Sequence, residues 1–572
     1  MKILLCALNS KYIHSNLAIH LLQTYVLNSK EYISMPDELR PEVEIAEYTI
    51  NNQMEDILAD IYLKKPDVAA FSCYIWNWEY TRSIIRDLHK VLPDTDIWVG
   101  GPEVTFDAIQ VLKENPDILG VMRGEGEGTF AELAISYYGM GTKALESIAG
   151  ITVRVNDEIV ATLERELLDM DDVPFVYNND NIHEFDNKII YYETSRGCPF
   201  SCSYCLSSVD RRVRFRSLCK VYDELQFFLD HEISQVKFVD RTFNIDHAHS
   251  MGILTYIKEH DNGITNFHFE IAGDILTEDE LHIMSMMRPG LIQLEIGVQS
   301  VNADTIKAIN RVMNLGKLKQ VVSRVNDMKN IHQHLDLIAG LPYENYESFK
   351  NSFNEVYAME PSQLQLGFLK VLKGAPMHES AEGYGIVYKS NTPYEVLKTH
   401  WLTYDEVLKL KKIEEMVELY YNSHQFSQTI KVLETAFDTA FDMFSQLARF
   451  YEENGYFTNS PARIYRYNVL LAFAQEKDPA HEALYKELLT YDLYLRENLK
   501  SRPSFATDLI PYKEIIREMK LDRKLHIDAF KYKVWEAFAE KISSENDKIT
   551  FIAFDYERRD PLYNNAFVIQ LQ

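Results

Sequence analysis

Over the first 140 residues, short apolar runs alternate with amphipathic stretches. The runs Lys2–Leu8, Val43–Thr49, Asp67–Cys73, Asp96–Gly100 and Ile118–Arg123 have strand length. Segments such as Thr81–Leu92 carry apolar residues at helical spacing. This βαβ rhythm predicts a doubly wound parallel sheet, and such sheets bind ligands beyond the carboxyl ends of their strands. Those ends are Asn9–Asn16, Ser72–Asn77, Gly100–Glu103 and Arg123–Gly128. Ile151–Val155 and Ile159–Leu163, around Asn156-Asp157, read as a hairpin. The acidic segment Leu168–Pro174 reads as a linker.

A second series begins near residue 188. Its strand candidates are Lys188–Thr194, Gln235–Asp240, Phe267–Gly273, Leu291–Val298, His332–Gly340 and Gln363–Val371, with helices such as Val221–His231 and Thr277–Met287 between them. Six strands with intervening helices predict a partial, TIM-like (βα)6 barrel, whose chemistry sits at the C-terminal strand ends. From about residue 395 to 500 Gly and Pro become scarce, and the chain reads as long helices rich in Tyr, Phe and Leu. Residues 548–572 read as two strands around Arg558-Arg559-Asp560-Pro561. The predicted fold class is α/β, with domains at 1–165, 188–394 and 395–572, a linker at 166–187, and a mainly helical third domain.

Charge and length narrow the function. With 59 Lys and Arg against 86 Asp and Glu, the 572-residue chain carries −27, which argues against bulk nucleic acid or an anionic membrane as partner. No run of ~18 apolar residues exists, so no membrane span is expected. The N-terminus reads as a first strand rather than a secretion signal. Of six cysteines, three lie within eight positions. Clustered thiols in a cysteine-poor chain indicate a metal site in a reducing compartment, so the expected location is the cytoplasm.

Cys198-Pro-Phe-Ser-Cys202-Ser-Tyr-Cys205 is the sharpest signal. Thiolates are soft ligands suited to iron–sulfur clusters, and three of them leave one iron of a 4Fe–4S cluster open to a small molecule. A structural zinc knuckle is the alternative, but zinc normally takes four ligands and no fourth Cys or His stands at zinc spacing. The C-x3-C-x2-C spacing with an aromatic before the last Cys resembles the radical S-adenosylmethionine (SAM) superfamily. That resemblance implies a 4Fe–4S cluster on Cys198, Cys202 and Cys205, SAM bound through its amino and carboxylate groups to the open iron, and Tyr204 bordering the adenine. It also places Asp240 near SAM's amino group, Glu295 and Gln299 of Glu295-Ile-Gly-Val-Gln299-Ser300 near SAM, and Gly340 of Asp336-Leu-Ile-Ala-Gly340-Leu-Pro342 near the adenine. Asp240 and Glu295 can equally be structural barrel carboxylates. The basic run Arg211-Arg212-Val-Arg214-Phe-Arg216 offers either an anion site or a solvated face.

The first domain resembles the cobalamin-binding domain that precedes one large class of radical SAM enzymes. The resemblance rests on Phe71-Ser72-Cys73-Tyr74, Gly100-Gly101-Pro102-Glu103 and Arg123-Gly124-Glu125-Gly126-Glu127. It implies that Ser72 hydrogen-bonds the dimethylbenzimidazole, that Gly100 and Gly101 make room for the nucleotide tail, and that Glu125 belongs to the site. The family's Asp-x-His-x-x-Gly is missing: the loop reads Asn9-Ser-Lys-Tyr-Ile-His14-Ser-Asn-Leu17. Without a carboxylate partner, His14 is expected to be a structural loop histidine rather than the cobalt ligand. A methylthiotransferase would need three more cluster cysteines in this domain, and only Cys6 and Cys73 are there, in apolar strands where free Cys is usually buried.

The combined resemblance, which includes a C-terminal helical extension of unknown function, implies a cobalamin-dependent radical SAM enzyme. Hydrogen abstraction by a 5′-deoxyadenosyl radical would be followed by methyl transfer from methylcobalamin. Cyclisation or rearrangement without methyl transfer, and a cobalamin-free docking module at the N-terminus, are the alternatives. The expected partners are a peptide or small-metabolite substrate and an electron donor such as flavodoxin or ferredoxin.

Overall fold

The computed structural model describes residues 1–139, 142–458, 463–519, 525–536 and 545–571. They form two compact units: residues 1–286, 307–312 and 369–399, and residues 287–306, 313–368 and 400–572.

The first unit opens with a seven-stranded sheet. Its strands are β1 (Lys2–Asn9), β2 (Glu42–Thr49), β3 (Val68–Ser72), β4 (Asp96–Gly100), β5 (Gly120–Met122), β6 (Ile151–Val155) and β7 (Glu158–Ala161), in the order β2-β1-β3-β4-β5-β6-β7. The first five are parallel; β6 and β7 add antiparallel. Side chains alternate across the strands. Leu4, Cys6, Leu8, Ala69 and Phe71 belong to one buried core, and Ile3, Leu5, Ala7, Val68 and Ala70 to another. Helices cover both faces, which is why these strands read as unbroken apolar runs. The β6–β7 turn falls on Asn156 and Asp157, both at positive φ (48° and 67°), as a tight two-residue hairpin requires. The order departs from sequence at β1 and β3, so the loops leaving these strands diverge and open a crevice.

Three parallel strands of the second series follow in this unit: β8 (Ile190–Tyr192), β11 (Gln235–Phe238) and β12 (Asn266–Ile271), with β11 between the others. The expected strand Lys188–Thr194 is shorter than its apolar run. The chain leaves β8 at Thr194 and pairs β9 (Ser195–Arg196) with β10 (Arg214–Phe215), closing a loop over residues 197–213. The acidic linker and the basic run meet. Arg216 is buried and donates twice to the Val173 carbonyl at 2.8 Å, and Arg214 holds the Leu168 carbonyl at 2.6 Å.

The second unit contains β13 (Ile292–Gln299), β14 (His332–Ala339) and β15 (Gln363–Phe368), parallel and in sequence order. Along β13 and β14 burial alternates with period two, so each strand presents an apolar face and a polar one. The predicted long helices are present, among them Tyr404–Val417, Ala440–Glu453, Arg463–Lys477 and Glu482–Arg496. They pack in the same core as the strand–helix repeats, with Phe441 edge-on to Phe353 at 5.4 Å. The terminal strands are Glu545–Arg559 and Ala566–Leu571, as the pattern indicates, and Leu525–Tyr532 adds an unanticipated third, antiparallel to the first. The fold class is therefore the expected one: a Rossmann-like parallel sheet, six strand–helix repeats of a partial (βα)6 barrel, and a mainly helical C-terminal region. No described helix is long and apolar enough to cross a membrane.

Candidate functional site

The loop carrying Cys198, Cys202 and Cys205 is held from several sides. Asp240, just past the end of β11, accepts from Thr194 N (3.2 Å), Thr194 Oγ1 (2.8 Å) and Ser195 Oγ (2.5 Å), which fixes the chain where it enters the loop. Cys198 N donates to the Asp210 carbonyl at 2.9 Å, and Ser203 N to that of Ile309 at 2.9 Å; the Ser203 carbonyl accepts from Met377 N at 2.8 Å. Gly197 stands at φ +92° against the Arg212 carbonyl, where no side chain fits. Cys198 and Cys202 are buried and Cys205 is half-buried. The Arg311 guanidinium reaches Tyr204 Oη at 3.1 Å and the Cys202 sulfur at 3.9 Å. Among the described residues, no three Cys, His, Asp or Glu side chains are gathered tightly enough to ligate a single ion. Three free thiols on one fixed loop are the donor set that a 4Fe–4S cluster takes, with its fourth iron left open.

Asp240 was expected at SAM's ammonium. It is 1% exposed, and its hydrogen bonds among the described residues go to Thr194 and Ser195, the partners a structural barrel carboxylate would have. Burial pushes its carboxyl up to about 6.

Glu295, Gln299 and Gly340 lie in the second unit, on the polar faces or at the ends of β13 and β14. Gln299 follows a register shift and takes φ +72°, an uncommon conformation for a residue with a side chain. Its buried Oε1 has no hydrogen-bond partner among the described residues. An orphaned acceptor at a strained strand end is what a ligand's donor would complete. The next residue, Ser300, donates to Glu344 at 2.7 Å, and Ser352 donates to the same oxygen at 2.8 Å. Burial raises the Glu344 carboxyl to about 7. Gly340 closes β14 at φ +89°.

The strand ends of the first sheet open into a cavity of about 610 Å³, of ligand-pocket size. Ser72, Gly100, Gly101 and Glu125 all line it, as do Trp76 and His14. Its other wall is the polar face of β8 and β11 and their continuations: Tyr191 and Glu193, then Lys237, Val239 and Arg241. The intervening Ile190, Tyr192, Val236, Phe238 and Asp240 are buried on the opposite face. Gly101 is required by the fold itself: φ is +108°, and a Cβ would lie 2.5 Å from the Cys73 carbonyl. Gly100 differs. A Cβ there would meet nothing closer than Met122, in ordinary contact at 3.5 Å, so the fold does not require this glycine, which lines the cavity. Such a cradle fits a cobalamin tail.

Two of the residues that line the cavity have partners of their own. Glu125 lines the cavity, but its carboxylate is taken by Arg214 (2.5 Å), Arg196 (3.6 Å) and Leu168 N (3.0 Å). Arg196 also pairs with Glu127 at 2.5 Å and Glu193 at 2.9 Å. The Gly-Glu-Gly-Glu segment is thus an ionic clamp onto β9 and β10. Likewise Arg214 and Arg216 of the basic run are clamps, while Arg211 and Arg212 are exposed. His14 has a partner that the sequence did not show: its Nδ1 lies 2.6 Å from the Tyr191 hydroxyl. Burial, helped by Lys11 and Lys237, lowers its pKa. Arg311, Tyr191, Arg196 and Glu344 were missed because none belongs to a local motif; each has at least one partner far away in the sequence.

Three families match the chain: the B12 binding domain over residues 4–134, the Radical SAM superfamily over residues 192–356, and a protein family of unknown function, DUF4080, over residues 382–519. The cobalamin-dependent radical SAM methyltransferase TokK of Streptomyces tokunonensis is 24% identical over 496 residues, covering 78% of this chain and 68% of that one. A 2-(S-pantetheinyl)-carbapenam-3-carboxylate methyltransferase of Streptantibioticus cattleyicolor is 25% identical over 356 residues, covering 56% of this chain and 50% of that one. The structure of the cobalamin-dependent SAM radical enzyme OxsB, with aqua-cobalamin and SAM bound, superposes with a TM-score of 0.58 at 15% identity, covering 91% of this chain and 80% of that one, and so shares the fold. Two cofactor-domain matches in this order, with methyltransferases among the relatives, mean that the chain belongs to the cobalamin-dependent radical SAM enzymes, whose cofactors are a 4Fe–4S cluster, SAM and cobalamin, and that it carries a DUF4080 region at its C-terminal side.

Proposed function

We propose that this enzyme transfers a methyl group from cobalamin to a carbon of a polar substrate, after hydrogen abstraction. The observation that carries the proposal is the shared cavity: Ser72 and Gly100, from the first sheet, and Glu193, Lys237 and Arg241, from the barrel strands, line one space. When bound, the cluster supplies the electron that cleaves SAM to methionine and a 5′-deoxyadenosyl radical, and methylcobalamin supplies the methyl group. Cys198, Cys202 and Cys205 would hold the cluster, on a loop fixed by Asp240. Arg311 holds the Tyr204 ring, which would border the adenine. Gln299 would accept a hydrogen bond from SAM, with Glu295 and Gly340 beside it. Ser72, Gly100 and Gly101 would seat cobalamin, with Glu125 holding the wall in place.

The charged wall of Glu193, Lys237 and Arg241 supports a peptide or small polar metabolite as substrate, since a hydrocarbon there would leave these groups without water. The module limits 1–165, 188–394 and 395–572 belong to the same proposal. Reconstituted protein incubated with SAM, reductant, cobalamin and cell extract should form both 5′-deoxyadenosine and S-adenosylhomocysteine. Deoxyadenosine alone would indicate a radical rearrangement instead. Neither product would refute the proposal.

A further inference from the structure

We propose that residues Val209, Arg211 and Arg212 form the docking surface for an acidic one-electron carrier protein of the flavodoxin or ferredoxin class. The inference rests on the cluster assignment above. A radical SAM cluster must receive one low-potential electron per cleavage, and the carrier must reach the surface that backs the cysteine loop. That surface is identified by backbone contacts. Cys198 N donates to the carbonyl of Asp210, and Gly197 packs on the carbonyl of Arg212. The segment 209–212 is therefore the outer layer over the loop. Val209 is 53% exposed, and both Arg211 and Arg212 are exposed.

The charges single out this patch. Asp210, the acid between Val209 and Arg211, is paired with Arg214 at 3.3 Å. The other two arginines of the run are consumed internally, Arg214 by Glu125 and the Leu168 carbonyl, Arg216 by Val173 and Glu224. Arg211 and Arg212 are in no side-chain ion pair among the described residues. On a chain of −27, an acidic carrier is repelled by most of the surface. Two unpaired guanidinium groups beside an exposed valine, directly over the cysteine loop, would orient it for productive encounter. The step moves one electron: the carrier's reduced cofactor is oxidised by one electron, the enzyme's cluster is reduced by one, and no bond or proton is exchanged.

The test uses the full-length, cluster-loaded protein. Reduction is followed by bleaching of the cluster's visible absorbance, once with reduced flavodoxin and once with dithionite, across a range of salt. Flavodoxin binding is measured separately by calorimetry. Arg211→Glu/Arg212→Glu should slow reduction by flavodoxin about tenfold at low salt, flatten its salt dependence, and weaken binding in parallel. Arg211→Lys/Arg212→Lys should keep most of the rate, and dithionite should reduce all three proteins alike. An unchanged flavodoxin rate and salt slope in the Glu variant, with normal dithionite reduction, would overturn the docking site alone. Protein that binds no iron would overturn the cluster assignment and the docking site with it.

Discussion

The two adjacent glycines that line the cavity should fail in opposite ways. At Gly101 the backbone has φ 108° and ψ 173°, a region essentially reserved for glycine. An alanine Cβ would lie 2.5 Å from the Cys73 carbonyl and 3.2 Å from its amide nitrogen, both backbone atoms that cannot rotate away. Backbone strain of about 1–3 kcal/mol and overpacking of about 1–3 kcal/mol put the cost of Gly101→Ala at about 2–6 kcal/mol. At about 2–4 °C per kcal/mol for a unit of this size, apo-protein should lose roughly 5–20 °C in the unfolding of its N-terminal sheet. Gly100→Ala meets only ordinary contacts, the nearest at 3.5 Å, and relieves the entropy of a glycine in a strand. Its apo-protein should unfold at or slightly above the wild-type temperature. Its methyl, however, takes cavity space, so cobalamin affinity should fall about tenfold or more, in line with about 1–3 kcal/mol for overpacking a fitted site. Circular dichroism melts of the two apo-proteins, with equilibrium dialysis of cobalamin, separate the effects. The reasoning is refuted if apo Gly101→Ala melts with wild type, or if Gly100→Ala destabilises apo-protein as much as Gly101→Ala does.

Three further outcomes are expected. Changing Cys198, Cys202 and Cys205 together to Ala should abolish binding of the ~4 irons of one cluster, whereas changes at Cys6, Cys73 or Cys219 should not, as read by iron analysis after anaerobic reconstitution. His14→Ala should leave the electron paramagnetic resonance spectrum of bound cob(II)alamin unchanged, because the group behind the imidazole is the neutral Tyr191 hydroxyl rather than a carboxylate; a nitrogen splitting lost in the variant would show that His14 ligates cobalt. Glu344 has its pKa raised to about 7 by burial, so its contribution to stability is full below the unfolded value near 4.5 and is lost as pH rises through 7. At about 1.4 kcal/mol per pH unit the loss is at most about 3.5 kcal/mol, and urea midpoints of Glu344→Gln should lack this component of the pH dependence.

How much was legible depends on the range over which each feature is encoded. Burial on both faces makes a parallel strand apolar throughout, so β1, β3 and β4 could be read directly, and with them the loops at their carboxyl ends. The cysteine loop is a local spacing, and ligand chemistry confines that spacing to few uses. The glycines at 100 and 101 were visible as a pair, but the sequence assigned both one role. Only the tertiary structure separates Gly101, closed off by the Cys73 carbonyl, from Gly100, where a Cβ would meet only ordinary contacts at the cavity wall. Charge was the least legible feature. The sequence offered Glu125 as a cofactor-site residue and the arginine run as either an anion site or a solvated face; it did not show that Glu125 pairs with Arg214, 89 positions away. A side chain's partner is set by which strand ends the topology brings together, and composition is blind to that. For the same reason His14 and Tyr191, 177 positions apart, could meet only in the tertiary structure. The sequence determined the strand–helix order and the cofactor chemistry, because both are written in short-range patterns. Which carboxylates stay structural, which glycine is open and which arginines remain exposed were decided by long-range packing.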